Sequence, residues 1–260
     1  MHVSLVGSEM CIRDRIKESE MKSNKVLLNL VSLTAILLSI SVQAFTVDKM
    51  VIVSDDKGNG IVTLTNDESQ PIFVQAKVDE INIVDGEQVE KKQYTRDNLN
   101  DWKVSLTHQK LVLNPGEEKD VGIRSLCHNA ACDNSQDLMF MLSFSPSKYR
   151  PDEVVSGVEI NYGFAPVYII PTTQPNYAYE LTNNGDSLRV ENKSNTMLNF
   201  FVDACSAVNT VQCKQKFTIV SGRNKTFPLI ESMQNNELTI TVTSHDKSYS
   251  KKETVTRGKI

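Results

Sequence analysis

Short stretches of alternating apolar and polar residues, separated by turn residues, run along most of the chain downstream of residue 44. The first of them read KMVIV, IVTLTN and PIFVQAKVDEINIV, with DDKGNG and DESQ between them. The pattern continues through WKVSL, LMFMLSF, MLNFFVDA and ELTITVTS, and no convincing amphipathic helix interrupts it. Since successive side chains of a strand lie on opposite faces of a sheet, the pattern predicts an all-β fold of a dozen or more short strands, arranged as sandwiches.

A related punctuation occurs in both halves of the chain. VTLTNDESQPIFVQAKV has Asn66 between two strands, and LRVENKSNTMLNFFV repeats that arrangement with Asn192. Each half also has a polar turn centred on glycine, in LNPGEEKD and in VSGRNKT. The segment PTTQP (residues 171–175) separates the halves, and its two prolines cannot donate to a central ladder. We therefore expect two immunoglobulin-like sandwiches, residues 45–170 and 171–260, joined at this segment.

The N-terminal region has the layout of a secretory signal rather than of a folded domain. Lys22 and Lys25 precede an apolar stretch, and small residues precede a cleavage site after Ala44, so residues 21–44 are predicted to be a signal peptide. A membrane anchor is the alternative, but the apolar stretch is short and interrupted by polar residues, so no stable membrane insertion is expected. Residues 1–20 show neither a signal layout nor a fold pattern, and we expect them to be a non-native extension.

Charge argues against a polyanionic partner. Residues 1–44 hold five Lys and Arg and four Asp and Glu, so the remaining chain has 28 − 5 = 23 basic and 32 − 4 = 28 acidic residues, a net charge of −5. A nucleic-acid partner is not expected at this charge.

Four cysteines remain after residue 44, in CHNAAC and CSAVNTVQC. Three connectivities are possible, and the simplest pairs the close neighbours, Cys127 with Cys132 and Cys205 with Cys213, as disulfides typical of an oxidising compartment. His128 beside Cys127 leaves a metal site as an alternative, but neither a Cys-x-x-Cys knuckle nor a His pair accompanies it, and no metal is predicted.

The chain shows no motif of catalysis. Gly-x-Ser-x-Gly, His-Glu-x-x-His and phosphate loops are absent from the sequence, and the histidines after residue 44 are scattered. Acidic pairs such as Glu117 with Glu118 lie in polar turns, where nothing raises one pKa for acid–base work. We expect no enzymatic activity and no cofactor.

The order of these stretches resembles that of the periplasmic pilus-assembly chaperones of the chaperone–usher pathway, the donor-strand family. The resemblance is carried by VTLTNDESQPIFVQAKV, KLVLNPGEEKDVGIRSL, LMFMLSFSP, YGFAPVYIIP and YELTNNGDSLRVENKSNTMLNFFV, which follow in the family's order. The second half is most similar to the common-pilus type from the non-standard branch. The resemblance implies two immunoglobulin-like domains at an angle, a boomerang, in the periplasm. Its partners would be pilin subunits, delivered to an outer-membrane usher.

The resemblance also implies that the last strand of the first domain is lent to a subunit whose own sandwich lacks a strand. In VEINYGFAPVYIIP, period-2 geometry places Val158, Ile160, Tyr162 and Phe164 on one face, and these four are the predicted donor residues. The alternative is that this face packs into the chain's own core.

Two departures from the family are missing basic residues. Members of its best-known branch bind the subunit's terminal carboxylate with two basic residues, but residues 158–171 contain no Lys or Arg. Lys49 on the first strand is the remaining candidate anchor, and a solvated surface lysine is the alternative. Ile170 stands where the family often has an arginine that locks the domains together, so no ionic lock is expected there.

A bulge is expected at Gly163 and Pro166.

Other functions fit the same pattern less well. A secreted two-domain pilus subunit, structural or adhesive, or a binding module would also use immunoglobulin-like strands and disulfides. A subunit needs an N-terminal extension to donate, and FTVDKMVIV enters the first domain at once. A secreted enzyme with an unrecognised site ranks third.

Overall fold

A computed structural model of the chain describes residues 45–127, 132–149, 161–205 and 211–258. The strands before the PTTQP segment are β1 (Phe45–Val47), β2 (Val51–Val53), β3 (Gly60–Asn66), β4 (Ile72–Val84), β5 (Gln88–Gln93), β6 (Val104–Leu106), β7 (Lys110–Leu113), β8 (Glu118–Ser125), β9 (Leu138–Lys148) and β10 (Val167–Ile170). Those after it are β11 (Tyr179–Asn183), β12 (Ser187–Asn192), β13 (Leu198–Asp203), β14 (Lys214–Ile219), β15 (Asn224–Pro228), β16 (Glu237–Thr243) and β17 (Ser250–Thr256). Short 3₁₀ helices lie at Arg96–Asp101 and Glu231–Met233.

The strands before PTTQP form two sheets that enclose one core. One sheet has the order β1-β3-β8-β6, and the other has the order β2-β10-β9-β4-β5 with β7 also paired to β4. The first segment of the chain changes sheet, because β1 pairs with β3 and β2 pairs in parallel with β10. Alternate residues of both sheets fill the core between them, among them Leu64, Val74 and Phe140.

The strands after PTTQP form a second sandwich. Its sheets have the orders β11-β12-β15 and β14-β13-β16-β17. Val190, Phe200 and Ile240 are fully buried between them. The predicted all-β fold with two β-sandwiches is therefore confirmed. The predicted domain limits, including those at residues 20 and 44, stay a prediction.

The two asparagines singled out in the sequence occupy equivalent places in the two sandwiches. The Asn66 amide donates to the carbonyls of Gln70 and Leu113, both at 3.0 Å, and its oxygen accepts the N–H of Glu68. The Asn192 amide donates to the carbonyls of Thr196 and Ile219 at 2.9 and 3.0 Å, and its oxygen accepts the N–H of Ser194. Each side chain closes the turn that follows its strand, because it satisfies backbone groups that the turn leaves buried.

Candidate functional site

The strand β10 and the residues before it run along β9 in one unbroken register. Phe164 lies opposite Phe144, and Val167 lies opposite Met141, so no residue is inserted between the two pairs. The bulge expected at Gly163 and Pro166 is therefore wrong. Pro166 removes one donor from the ladder, but its carbonyl still accepts the N–H of Leu142 at 2.9 Å.

One edge of this segment is open. Phe164 exchanges both of its backbone hydrogen bonds with Phe144, at 3.0 and 2.7 Å. The N–H and C=O groups of Gly163 and Ala165 therefore point away from β9, and no backbone group of the described residues binds them. On this outer side β2 covers only the later residues, since it pairs with Val167–Ile169. The chain thus presents an unpaired strand edge directly before β10.

Gly163 is needed for this arrangement. A Cβ atom added to Gly163 would lie 2.4 Å from the carbonyl oxygen of Phe144. Only glycine lets the segment approach β9 closely enough to keep the ladder.

The described donor residues, Tyr162 and Phe164, differ in burial. Phe164 packs against the first core, with its ring centroid 5.8 Å from that of Phe45. Tyr162, two positions earlier and predicted to share that face, is 82% exposed. Val158 and Ile160 lie outside the described residues. The segment is therefore packed against the core at Phe164 and exposed at Tyr162.

Lys49 lies between β1 and β2. Its ammonium is 3.0 Å from the Asp48 carboxylate, and its side chain is 58% exposed. Burial works to raise the pKa of Asp48, but the N–H of Thr63 and the charge of Lys49 outweigh it and lower that pKa. Lys49 also borders a shallow depression of about 530 Å³ beside the outer edge of β2, with Val51 and Ile61 exposed in it. The predicted anchor is thus a solvated lysine that already has a partner.

A second set of cations, which the sequence reasoning missed, lies where the two sandwiches meet. A pocket of about 220 Å³ is lined by Ile83, Met141 and Val167 of the first sandwich and by Arg223 and Lys225 of the second, with further apolar side chains from both. Arg223 donates to the backbone carbonyl of Glu87, and Lys225 lies 5.5 Å from the Phe227 ring centroid. Neither cation is paired with a carboxylate of the described residues. The only signal for them in the sequence is the alternation of basic residues after Gly222 in SGRNKTF.

Both cysteine pairs are joined as disulfides. The Cys127–Cys132 and Cys205–Cys213 bridges close loops with sequence separations of 5 and 8 residues. His128 lies outside the described residues. Within the described ranges, no three His, Cys, Asp or Glu side chains gather in a way that could hold a metal ion. None of the helices among those same residues is long and apolar enough to cross a membrane.

These features define a protein with two β-sandwiches and an open strand edge at the end of the first. Residues 47–171 match the family described as the CS5 fimbrial protein N-terminal domain. That match covers most of the first sandwich, including its open edge, and a fimbrial protein domain agrees with the resemblance to a pilus-assembly family.

Solved structures that resemble this chain share little sequence identity with it. One is a chain of the Salmonella enterica SafA pilin in complex with the SafB chaperone, with 10% identity over 83% of this chain and 97% of that one, and a TM-score of 0.50. Another is the class 5 fimbriae chaperone CfaA, with 13% identity over 83% of this chain and all of that one, and a TM-score of 0.48. No curated protein matches the sequence. At 10% identity, the first of these structures shows a shared fold and no more.

Proposed function

We propose that this chain is a periplasmic chaperone that stabilises pilus subunits by donor-strand complementation and delivers them to an outer-membrane usher. The observation that carries the proposal is the open edge at Gly163 and Ala165, at the end of the first sandwich. The family match over residues 47–171 supports it, as does the fold shared with a chaperone–pilin complex. The chain carries no catalytic role in this proposal and requires no cofactor.

The open edge supplies both parts of strand complementation. The outward N–H and C=O groups of Gly163 and Ala165 pair with a subunit strand, which gives affinity without dependence on sequence. The period-2 pattern of the sequence predicts that Val158, Ile160 and Tyr162 share one face, and in this proposal the subunit's open core covers that face. Full burial of each such side chain contributes about 1.5–3 kcal/mol.

The subunit's terminal carboxylate has two candidate anchors. Lys49 is close to the place that the family resemblance implies, but its pairing with Asp48 and its exposure leave little net attraction. Arg223 and Lys225 border an apolar pocket, where a carboxylate loses water and binds cations more strongly. We therefore rank Arg223 and Lys225 above Lys49.

Export follows the signal layout. In this proposal residues 21–44 direct the chain to the periplasm and are removed after Ala44. N-terminal sequencing of the periplasmic protein tests this step, and Phe45 is the expected first residue.

Coexpression with pilin subunits tests the function. The mature chain, produced with each pilin encoded beside its gene, is expected to form a 1:1 periplasmic complex that copurifies. Tyr162→Asp should lower recovery of the complex about ten-fold, since an ionised carboxylate cannot enter an apolar groove. Val211→Asp is the matched control, because Val211 is also strongly exposed, at 72%, but lies in the second sandwich.

Two results would contradict the proposal. One is the absence of a complex between the wild-type chain and any of these pilins, which favours a binding module. The other is equal recovery with Tyr162→Asp and Val211→Asp, which removes the open edge from the interaction. Replacing Lys49 or Lys225 by Gln in parallel identifies which anchor is used, since Lys225 borders the pocket without bridging the sandwiches.

A further inference from the structure

A buried carboxylate joins the two sandwiches at the linker. Asp137, directly before β9, is only 2% exposed. Its oxygens accept the N–H of Thr172 at 2.9 Å, the N–H of Met197 at 2.8 Å and the hydroxyl of Thr196 at 3.2 Å. Burial raises the pKa of this carboxyl, although all three donors and the charge of His245 act to lower it. One side chain of the first sandwich thus holds the linker and the turn between β12 and β13.

Asn195 of the second sandwich, directly before Thr196, also binds backbone groups of the first sandwich and of the linker. Its carbonyl accepts the N–H of Asp137 at 2.9 Å. Its side-chain amide donates to the carbonyls of Ser135 and Gln174, at 2.7 and 2.9 Å, and its side-chain oxygen accepts the N–H of Asn176 at 2.7 Å. We call Asp137 and Asn195 the linker clamp. Together they satisfy backbone groups on both sides of the linker.

A separate contact joins the sandwiches at the tip of the β4–β5 hairpin. The carbonyl of Gly86 accepts the N–H of Asn224 at 2.7 Å, and the carbonyl of Glu87 accepts a bond from the Arg223 guanidinium. A Cβ atom on Gly86 would lie 3.0 Å from the Asn224 Cβ, and Gly86 has a φ of +74°. We call Gly86, Arg223 and Asn224 the hairpin latch.

A group of apolar side chains links the neighbourhoods of these two contacts. Ile81, Met139 and Ile169 of the first sandwich pack with Met197 of the second, all buried, and Val220 packs against them. Met197 belongs to the turn that the clamp holds, and Val220 immediately precedes the turn that the latch holds. Two different polar contacts and an apolar group between their turns oppose rotation of one sandwich against the other. Domains joined by a small polar interface alone move as a rule.

We propose that the linker clamp and the hairpin latch together hold the two sandwiches in one orientation, with Asp137 as a positioning residue for subunit capture. This inference rests on the proposed function for its second half. The pocket bordered by Arg223 and Lys225 takes its walls from both sandwiches, so its shape depends on their orientation. A subunit that contacts the open edge and this pocket at once meets both only in that orientation.

Residual dipolar couplings of the mature chain, measured by NMR, test the orientation. If the sandwiches are held together, couplings from both fit a single alignment tensor. Asp137→Asn places an amide group where the carboxylate accepted three bonds, and Gly86→Ala crowds Asn224. We expect one tensor for the wild type and two different tensors for the Asp137→Asn, Gly86→Ala double variant. One shared tensor in the double variant would overturn the proposal.

Two controls match these variants in charge and in backbone geometry. Asp133→Asn removes a carboxylate from the same loop, where Asp133 is exposed and accepts the N–H of Ser135. Gly116→Ala adds a Cβ at a φ of +72° with no atom of another residue within 4 Å. Both should keep the single tensor. Couplings within each sandwich must still fit its own fold, which separates loss of orientation from unfolding.

Subunit capture by the same variants tests the positioning role. If the double variant holds the competent orientation about a tenth of the time, capture weakens about ten-fold, since apparent affinity scales with that fraction. Two tensors with unchanged capture would overturn the role of Asp137. Failure of the wild type to bind any pilin would instead contradict the proposed function, because the couplings are measured without a subunit.

Discussion

Each sandwich closes one turn with a buried asparagine, but the two turns lie in different surroundings. In the first, Asn66 closes the turn 67–70, whose residues are exposed or partly exposed. In the second, Asn192 closes the turn 193–196, and that turn carries Asn195 and Thr196 into the junction. A turn with the same internal bonds is therefore a surface turn in one sandwich and a joint in the other.

The glycine turns of the two sandwiches repeat this difference. Gly116 and Gly222 have φ values of +72° and +71°. A Cβ on Gly116 would meet nothing within 4 Å, whereas one on Gly222 would lie 3.7 Å from Ile83 of the hairpin. Similar local sequence sets the shape of each turn, and contacts from distant parts of the chain decide what it touches.

The largest effects are expected from removing the two asparagines. Asn66→Ala and Asn192→Ala should each lower the free energy of unfolding of their own sandwich by about 3 kcal/mol, because several buried backbone groups lose their partners. Asn192→Ala should also disturb the linker clamp. Denaturant unfolding with hydrogen exchange resolved by residue measures both effects. If only Asn66→Ala were destabilising, the equivalence of the two positions would be wrong.

The next largest effect is expected from breaking a largely buried ion pair, which only the first sandwich has among the described residues. Lys103 lies 2.5 Å from Glu80, with side-chain exposures of 22% and 11%, and Glu80 also accepts the hydroxyl of Tyr94. Every ion pair of the second sandwich among the described residues is more exposed. Lys103→Met should cost the first sandwich about 3 kcal/mol and leave hydrogen exchange in the second unchanged.

The exposed pair of Lys92 with Asp101 provides the control for that variant. Lys92→Met should change stability by about 0.5 kcal/mol or less. Equal losses in the two variants would show that burial does not determine the effect.

A smaller effect is expected from the glycine turns. Gly116→Ala and Gly222→Ala should each cost about 1–2 kcal/mol, because alanine resists a positive φ. The contact of the new Cβ with Ile83 is an ordinary van der Waals distance, so the two losses should agree within about 0.5 kcal/mol. A much larger loss for Gly222→Ala, measured by thermal unfolding, would mean that the hairpin leaves no room there.

The stability contributed by Asp137 should depend on pH. Since burial raises the pKa of Asp137 above its ordinary 3.8, the folded chain favours the protonated carboxyl more than the unfolded chain does. The contribution of the Asp137 carboxyl to the free energy of unfolding is fully present below pH 3.8 and is lost as pH rises through the raised pKa. The difference in unfolding free energy between the wild type and Asp137→Asn should therefore shift in favour of Asp137→Asn as pH rises. An opposite slope would mean that hydrogen bonding outweighs burial at this carboxylate.

Local patterns predicted the β fold and the paired asparagines, because alternation and turn chemistry act over a few residues. The bulge at Pro166 was wrong since pairing with β9 sets the register and a proline removes only one bond from it. Asp137 was missed because its partners Thr172 and Met197 lie 35 and 60 residues away in sequence. The linker clamp depends on tertiary contacts that no local pattern records.

The open edge also has a cost in solubility. Soluble β proteins guard their edge strands with lysine, proline or bulges. Residues 158–171 contain no Lys or Arg, and Pro166 directs its missing donor towards β9, so the outer side of the ladder is unguarded. Without a subunit this edge is a site for aggregation, and the tendency rises with the concentration of the free chain. If the proposed function is correct, the edge that allows capture also limits how much unloaded protein a compartment can hold.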